Sequence, residues 1–107
     1  YAAIGRIITG DTEGGRALLV EKHGTTAVDD DILRFAFYEG KMFTDLVESA
    51  KVRVQNAPQD PQSHFVLIQS YMLAGRTAEA RTELSATLAA FPESATAAAP
   101  LVKQLGL

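Results

Sequence analysis

Residues 61–92 read PQSHFVLIQSYMLAGRTAEARTELSATLAAFP, and this stretch decides the fold class. Its apolar residues recur at steps of three and four, the period of one face of an α-helix. Asp60 and Pro61 signal a helix start, because a carboxylate caps free N–H groups and proline lacks one. Gly75 marks the end of that helix, since glycine accepts a left-handed backbone. The pattern predicts two paired helices that end at Pro92. Their apolar stripes are Phe65, Leu67, Ile68, Tyr71 and Met72, then Ala80, Leu84, Thr87, Leu88 and Phe91.

The same spacing continues one period upstream without a gap. In residues 27–58, Leu33 precedes Leu67 by 34 positions, and Phe37 precedes Tyr71 by the same interval. A repeat of about 34 residues is typical of stacked helix–turn–helix units. This stretch is therefore predicted to form a second hairpin.

The ends of the chain complete the predicted stack. Residues 1–24 are interpreted as a degenerate first hairpin, and residues 94–107 as a capping helix that Pro100 kinks or delays. One hairpin cannot bury its own apolar faces, so neighbouring units must cover them. The prediction is a single all-α domain over residues 1–107, with about three helical hairpins and a C-terminal capping helix.

Residues 61–92 resemble one tetratricopeptide repeat, and GRTAEA at residues 75–80 is the part most similar to that family. The resemblance implies a right-handed α–α superhelix, a TPR-like solenoid, whose first helices line a concave groove that binds a protein or peptide. Projecting the repeat onto this chain gives the predicted partner-binding residues: Asp31, Phe35, Tyr38, Glu39, Phe65, Gln69, Met72 and Leu73.

The predicted groove residues are mostly aromatic and apolar, which suits an amphipathic helix or an extended peptide. Phe35, Phe65 and Met72 are equally compatible with core positions, whereas Tyr38 and Gln69 have polar ends that favour exposure. Some members of the family hold a terminal carboxylate with basic residues on this face. The corresponding positions here are not basic, so that clamp is not expected.

Two function classes follow from the resemblance. The first is a non-catalytic protein–protein interaction module. The alternative is a structural or self-association role, as a homo-oligomer or as the assembly tail of a larger membrane-anchored bacterial protein. For that alternative, the C-terminal half is similar to the repeat tails of O-antigen-ligase-like polymerases.

Composition disfavours other classes. The net charge of −3 supplies no basic stripe for nucleic acid. No apolar run approaches the roughly 20 residues of a membrane span, so direct membrane insertion is not expected. Cysteine is absent from the sequence, which excludes disulfides and thiolate chemistry.

No catalytic, cofactor-binding or metal site is predicted. His23 and His64 lie in different hairpins and have no histidine partner at helical spacing. The carboxylates at positions 29–31 are interpreted as a helix start rather than a cation site. The glycine-rich segment at residues 10–16 lacks the lysine of a phosphate loop and is interpreted as a turn.

Overall fold

The computed structural model describes residues 2–107, and all regular structure in that range is helical. The predicted all-α class is therefore confirmed, whereas the part of the first hairpin that falls on Tyr1 lies outside the described residues. The helices are α1 (Ala2–Ile8), α2 (Thr12–His23), α3 (Asp31–Glu39), α4 (Phe43–Asn56), α5 (Pro61–Leu73), α6 (Thr77–Ala90) and α7 (Ala95–Leu105), with a 3-10 turn at Pro92–Ser94. Residue contacts divide the chain into two compact units, residues 1–52 and 53–107. The assignment of one domain stays a prediction.

One hydrogen-bonding motif closes the turns α1–α2, α3–α4 and α5–α6. Its central residue has a left-handed backbone: Gly10 (φ 98°), Lys41 (φ 55°) and Gly75 (φ 74°). The next N–H donates to the carbonyl five residues earlier, from Asp11 to Arg6 (2.7 Å), Met42 to Phe37 (2.8 Å) and Arg76 to Tyr71 (2.8 Å). This is the Schellman geometry, which satisfies carbonyls at a helix end and turns the chain back.

Ile7 is the centre of the core in the first unit. Its side chain is only 1% exposed, and α1 packs on both α2 and α3. Glycines allow this close approach. A Cβ at Gly15 would lie 2.8 Å from the carbonyl oxygen of Ala3, and one at Gly40 would lie 2.9 Å from Ile7 Cγ2. The helices around Ile7 can thus approach only because two positions have no side chain.

The second unit consists of the α5–α6 hairpin and α7. Asp60 caps α5 by accepting a hydrogen bond from the Gln62 backbone N–H at 3.0 Å, as predicted. Helix α7 packs on α6, and Arg81 Nε donates to the Leu105 carbonyl at 2.7 Å. Pro100 neither delays nor interrupts α7, which begins before it at Ala95 and continues to Leu105.

The left-handed turn predicts opposite effects for two glycine substitutions. At Gly75 an added Cβ meets no atom within 4 Å, so Gly75→Ala is expected to cost only backbone strain, about 1 kcal/mol. Gly5 also lies in open space but inside α1, so Gly5→Ala should stabilise by about 0.5–1 kcal/mol through helix propensity. Urea unfolding followed by circular dichroism measures both. Equal effects of the two substitutions would contradict the assigned turn geometry.

Candidate functional site

An open groove lies between α5 and α7 in the second unit. It encloses about 500 Å³. The α5–α7 groove is lined by Gln62, Phe65, Gln69, Met72 and Leu73 of α5 and by Ala97, Pro100, Leu101 and Gln104 of α7. On each helix these positions recur at steps of three and four, so one continuous face of each helix contributes.

The α5–α7 groove has an apolar floor and an uncharged polar rim. Phe65 and Leu101 are 7% and 8% exposed and form the floor. The rim carries three exposed amide side chains, those of Gln62, Gln69 and Gln104, and none of them has a side-chain hydrogen-bond partner within residues 2–107. No ionisable side chain is among the lining residues. The site can therefore offer apolar contact together with amide donors and acceptors.

The structure brings together the four site residues that were predicted on α5. Gln69 and Leu73 are exposed, Met72 is half-buried, and Phe65 contributes mainly as a buried floor. The sequence interpretation missed the α7 side of the groove, because it treated that helix only as a cap. A signal was present: Leu101 follows Leu67 by 34 residues, so α7 occupies the place of another first helix.

The four site residues predicted on α3 are all exposed, namely Asp31, Phe35, Tyr38 and Glu39. Phe35 is 56% exposed and Tyr38 is 49% exposed. Ile32, which the sequence interpretation did not single out, is 58% exposed and lies one helical step from Phe35. These three side chains form the α3 stripe. That the α3 residues and the α5–α7 groove belong to one surface stays a prediction.

The carboxylates at positions 29–31 act as a helix start and as partners of a buried cation. Asp30 caps α3 by accepting from the Leu33 backbone N–H at 2.8 Å. The guanidinium of Arg34, a residue only 6% exposed, donates to Asp29 (2.9 Å), to Asp31 and to Ser49 Oγ (3.2 Å). This network satisfies a charge that would otherwise be costly to bury.

The glycine-rich segment at residues 10–16 begins α2 with its own anion. Asp11 accepts a hydrogen bond from the Gly14 backbone N–H at 2.9 Å and pairs with Arg6 at 3.0 Å. The Gly14 N–H, and then the Arg6 guanidinium, lower the pKa of the Asp11 carboxyl. A carboxylate already occupies the position where a phosphate would bind, which agrees with the interpretation as a turn.

Two further searches of residues 2–107 gave negative findings. No group of three or more His, Cys, Asp or Glu side chains is arranged to hold a metal ion. No helix in the same range has the length and apolar character needed to span a bilayer.

Comparison with protein-family models, with curated proteins and with solved structures finds no match. A function for the chain therefore has to be argued from its own residues, and the α5–α7 groove is the site with the most developed geometry.

The buried Arg34 network predicts a large stability effect for one arginine and a small one for another. Arg34→Ala leaves a void and unpaired acceptors, so the free energy of unfolding should fall by about 2–3 kcal/mol. Arg34→Met keeps the apolar stem and should lose about 1 kcal/mol less. The control is Arg6→Ala, whose pair with Asp11 is half exposed and is worth at most about 1 kcal/mol. Urea unfolding measures all three, and similar losses for Arg34→Ala and Arg6→Ala would refute the role of the network.

Proposed function

We propose that the chain is a non-catalytic protein-interaction module of the tetratricopeptide type, with its hairpins arranged as a right-handed superhelix. The support is the recurrence of one turn motif at Gly10, Lys41 and Gly75, spaced 31 and 34 residues apart. Repeated supersecondary units of this length stack to share a core, and such stacks present extended binding surfaces. The partner is a protein or peptide.

The observation that carries this proposal is the lining of the α5–α7 groove. Phe65, Met72 and Leu73 offer apolar contact from α5, and Leu101 offers it from α7. A groove of about 500 Å³ is within the usual size range of ligand sites. Side chains of a bound segment would remove this apolar surface from water, which is the main source of affinity in such grooves.

The amide rim favours an extended segment over a helix. A helix satisfies its own backbone hydrogen bonds, whereas an extended segment leaves N–H and C=O groups that need partners. A glutamine amide supplies both a donor and an acceptor. Gln69 on α5 and Gln104 on α7 lie on the two sides of the groove and can pair with such a backbone.

The absence of charge from the lining argues against a charged ligand. Moving a charged side chain from water into a groove without a counter-charge costs free energy that apolar contact does not return. The proposed ligand is therefore an extended peptide segment with apolar side chains and no charge within the part that is bound.

A pair of leucine substitutions tests the groove. Linear peptides are first selected from a random display library against the whole chain, and their affinities are measured by fluorescence anisotropy. Leu73→Lys places a charge in the α5–α7 groove and should weaken the selected peptides at least about tenfold, because the lysine would have to be desolvated. Leu107→Lys changes a similarly exposed leucine outside the groove and should leave affinity unchanged.

The selection itself gives a second result. Enriched peptides should contain few Asp, Glu, Lys and Arg residues. Peptides that are enriched in charge, or that bind the Leu73→Lys variant as tightly as the unchanged chain, would refute the proposed ligand and site.

Self-association is the second candidate function, and the α3 stripe favours it. Ile32, Phe35 and Tyr38 are each about half exposed on one helix. The partner in this case is a second copy of the chain, because two copies of one helical stripe can pair across a twofold axis without any other complementary surface. A contiguous exposed apolar patch is also typical of an interaction site.

Sedimentation velocity at increasing concentration distinguishes this candidate. The unchanged chain should dimerise, and Phe35→Lys should shift the midpoint concentration upward at least about tenfold by placing a charge in the interface. Val20→Lys is the control, because Val20 is equally exposed but lies on α2 outside the stripe. A chain that stays monomeric at the highest concentration would exclude the self-association role.

A further inference from the structure

The imidazole ring of His64 lies between two hydrogen-bond acceptors. Its Nδ1 is 2.8 Å from Oε1 of Glu83 on α6, and its Nε2 is 2.9 Å from the carbonyl oxygen of Pro58 in the connection before α5. An ionised carboxylate and a peptide carbonyl can only accept, so both ring nitrogens have to donate. Only the doubly protonated imidazolium has an N–H on each nitrogen. The geometry therefore fits the charged ring.

The charged groups around the ring agree with this protonation state. Glu83 faces it from α6, and Asp60 faces it from the start of α5, where Arg53 also pairs with Asp60 at 3.9 Å. Burial lowers the pKa of the His64 ring, but the hydrogen bonds to Glu83 and to the carbonyl, together with the two negative charges, outweigh it and raise that pKa above the ordinary value.

We propose that His64 is a proton-dependent latch that ties the connection at residues 57–60 to the α5–α6 hairpin. Loss of one proton leaves the ring a single N–H. A ring lone pair facing the Glu83 carboxylate would be repelled more strongly than one facing a neutral carbonyl. The neutral ring therefore keeps its N–H on Nδ1, towards Glu83, and releases the Pro58 carbonyl.

A cavity beside the latch allows this opening without disturbing the core. It encloses about 250 Å³ and is lined by residues of the connection, of α6 and of the α6 C-terminal end, including Pro58, Gln59, His64, Glu83, Thr87 and Phe91. A space of this size with polar groups in its wall admits water, which can accept the role of donor to the released carbonyl. Phe91, with its ring centre 5.5 Å from that of His64, keeps the imidazole in place.

The direction of the effect on stability follows from proton linkage. Because the pKa of His64 is higher in the folded than in the unfolded chain, the latch contributes its full stability below the unfolded pKa. That contribution is lost as the pH rises through the folded pKa. The connection at residues 57–60 should therefore loosen on the alkaline side of neutrality.

Nuclear magnetic resonance of the ¹⁵N-labelled whole chain tests the latch directly. Ring nitrogen shifts report protonation and tautomer, and His23→Gln identifies the His64 signals. We expect His64 to titrate at higher pH than histidine in a short unstructured peptide and to become the Nδ1–H tautomer, which is the minor form in peptides. In the same pH range, amide exchange should accelerate at Gln59 and Asp60. A midpoint at or below the peptide value, or an Nε2–H tautomer, would overturn the proposal.

Two variants separate the latch from a merely structural histidine. Glu83→Gln keeps an acceptor oxygen but removes the charge, so the His64 titration should move to lower pH. His64→Gln removes the titrating group, so the loss of urea resistance between about pH 5.5 and about pH 8.5 should be smaller than in the unchanged chain. An equal loss in both chains would refute the latch. Since the latch uses no residue of the α5–α7 groove, these outcomes are independent of the proposed function.

Discussion

A left-handed residue between paired helices is the constraint on which the rest of the structure depends. The end of a helix leaves carbonyls without partners, and the Schellman turn satisfies them while it reverses the chain. Gly10 and Gly75 adopt this conformation without steric cost, whereas Lys41 adopts it against the preference of a residue with a Cβ. Because the turn geometry is the same in all three places, each first helix meets its second helix through corresponding positions, Gly15, Leu46 and Ala80, whose N–H groups close the first turn of the second helix.

Corresponding positions in the two units solve one problem with different chemistry. Ser49 and Glu83 are 34 residues apart, and both reach back to the segment before or at the start of a first helix. Ser49 donates to the Val28 carbonyl at 2.6 Å and accepts from Arg34, while Glu83 pairs with His64. The permanent charge of arginine makes the first network insensitive to pH near neutrality. The histidine in the second makes the same kind of contact dependent on a proton.

The helical elements were predictable because their signals are local. A cap at Asp60, a stop at Gly75 and an apolar stripe between them involve residues within a few turns of one another, and each has an energetic cause that acts inside the segment. Burial was less predictable, because it depends on which helix lies opposite. Phe35 and Phe65 occupy similar places on their own helices and have the same side chain, yet one is exposed and the other is buried.

The sequence by itself determined that the chain forms helical hairpins, where each one begins and ends, and which α5 residues share a face. It also contained the 34-residue interval that aligns Leu101 of α7 with Leu67 of α5. Only the tertiary structure decided that α7 forms the second side of the groove, that Arg34 is buried with its carboxylate partners, and that His64 lies between two acceptors. These features join residues far apart in the chain, and no local preference specifies a distance between them.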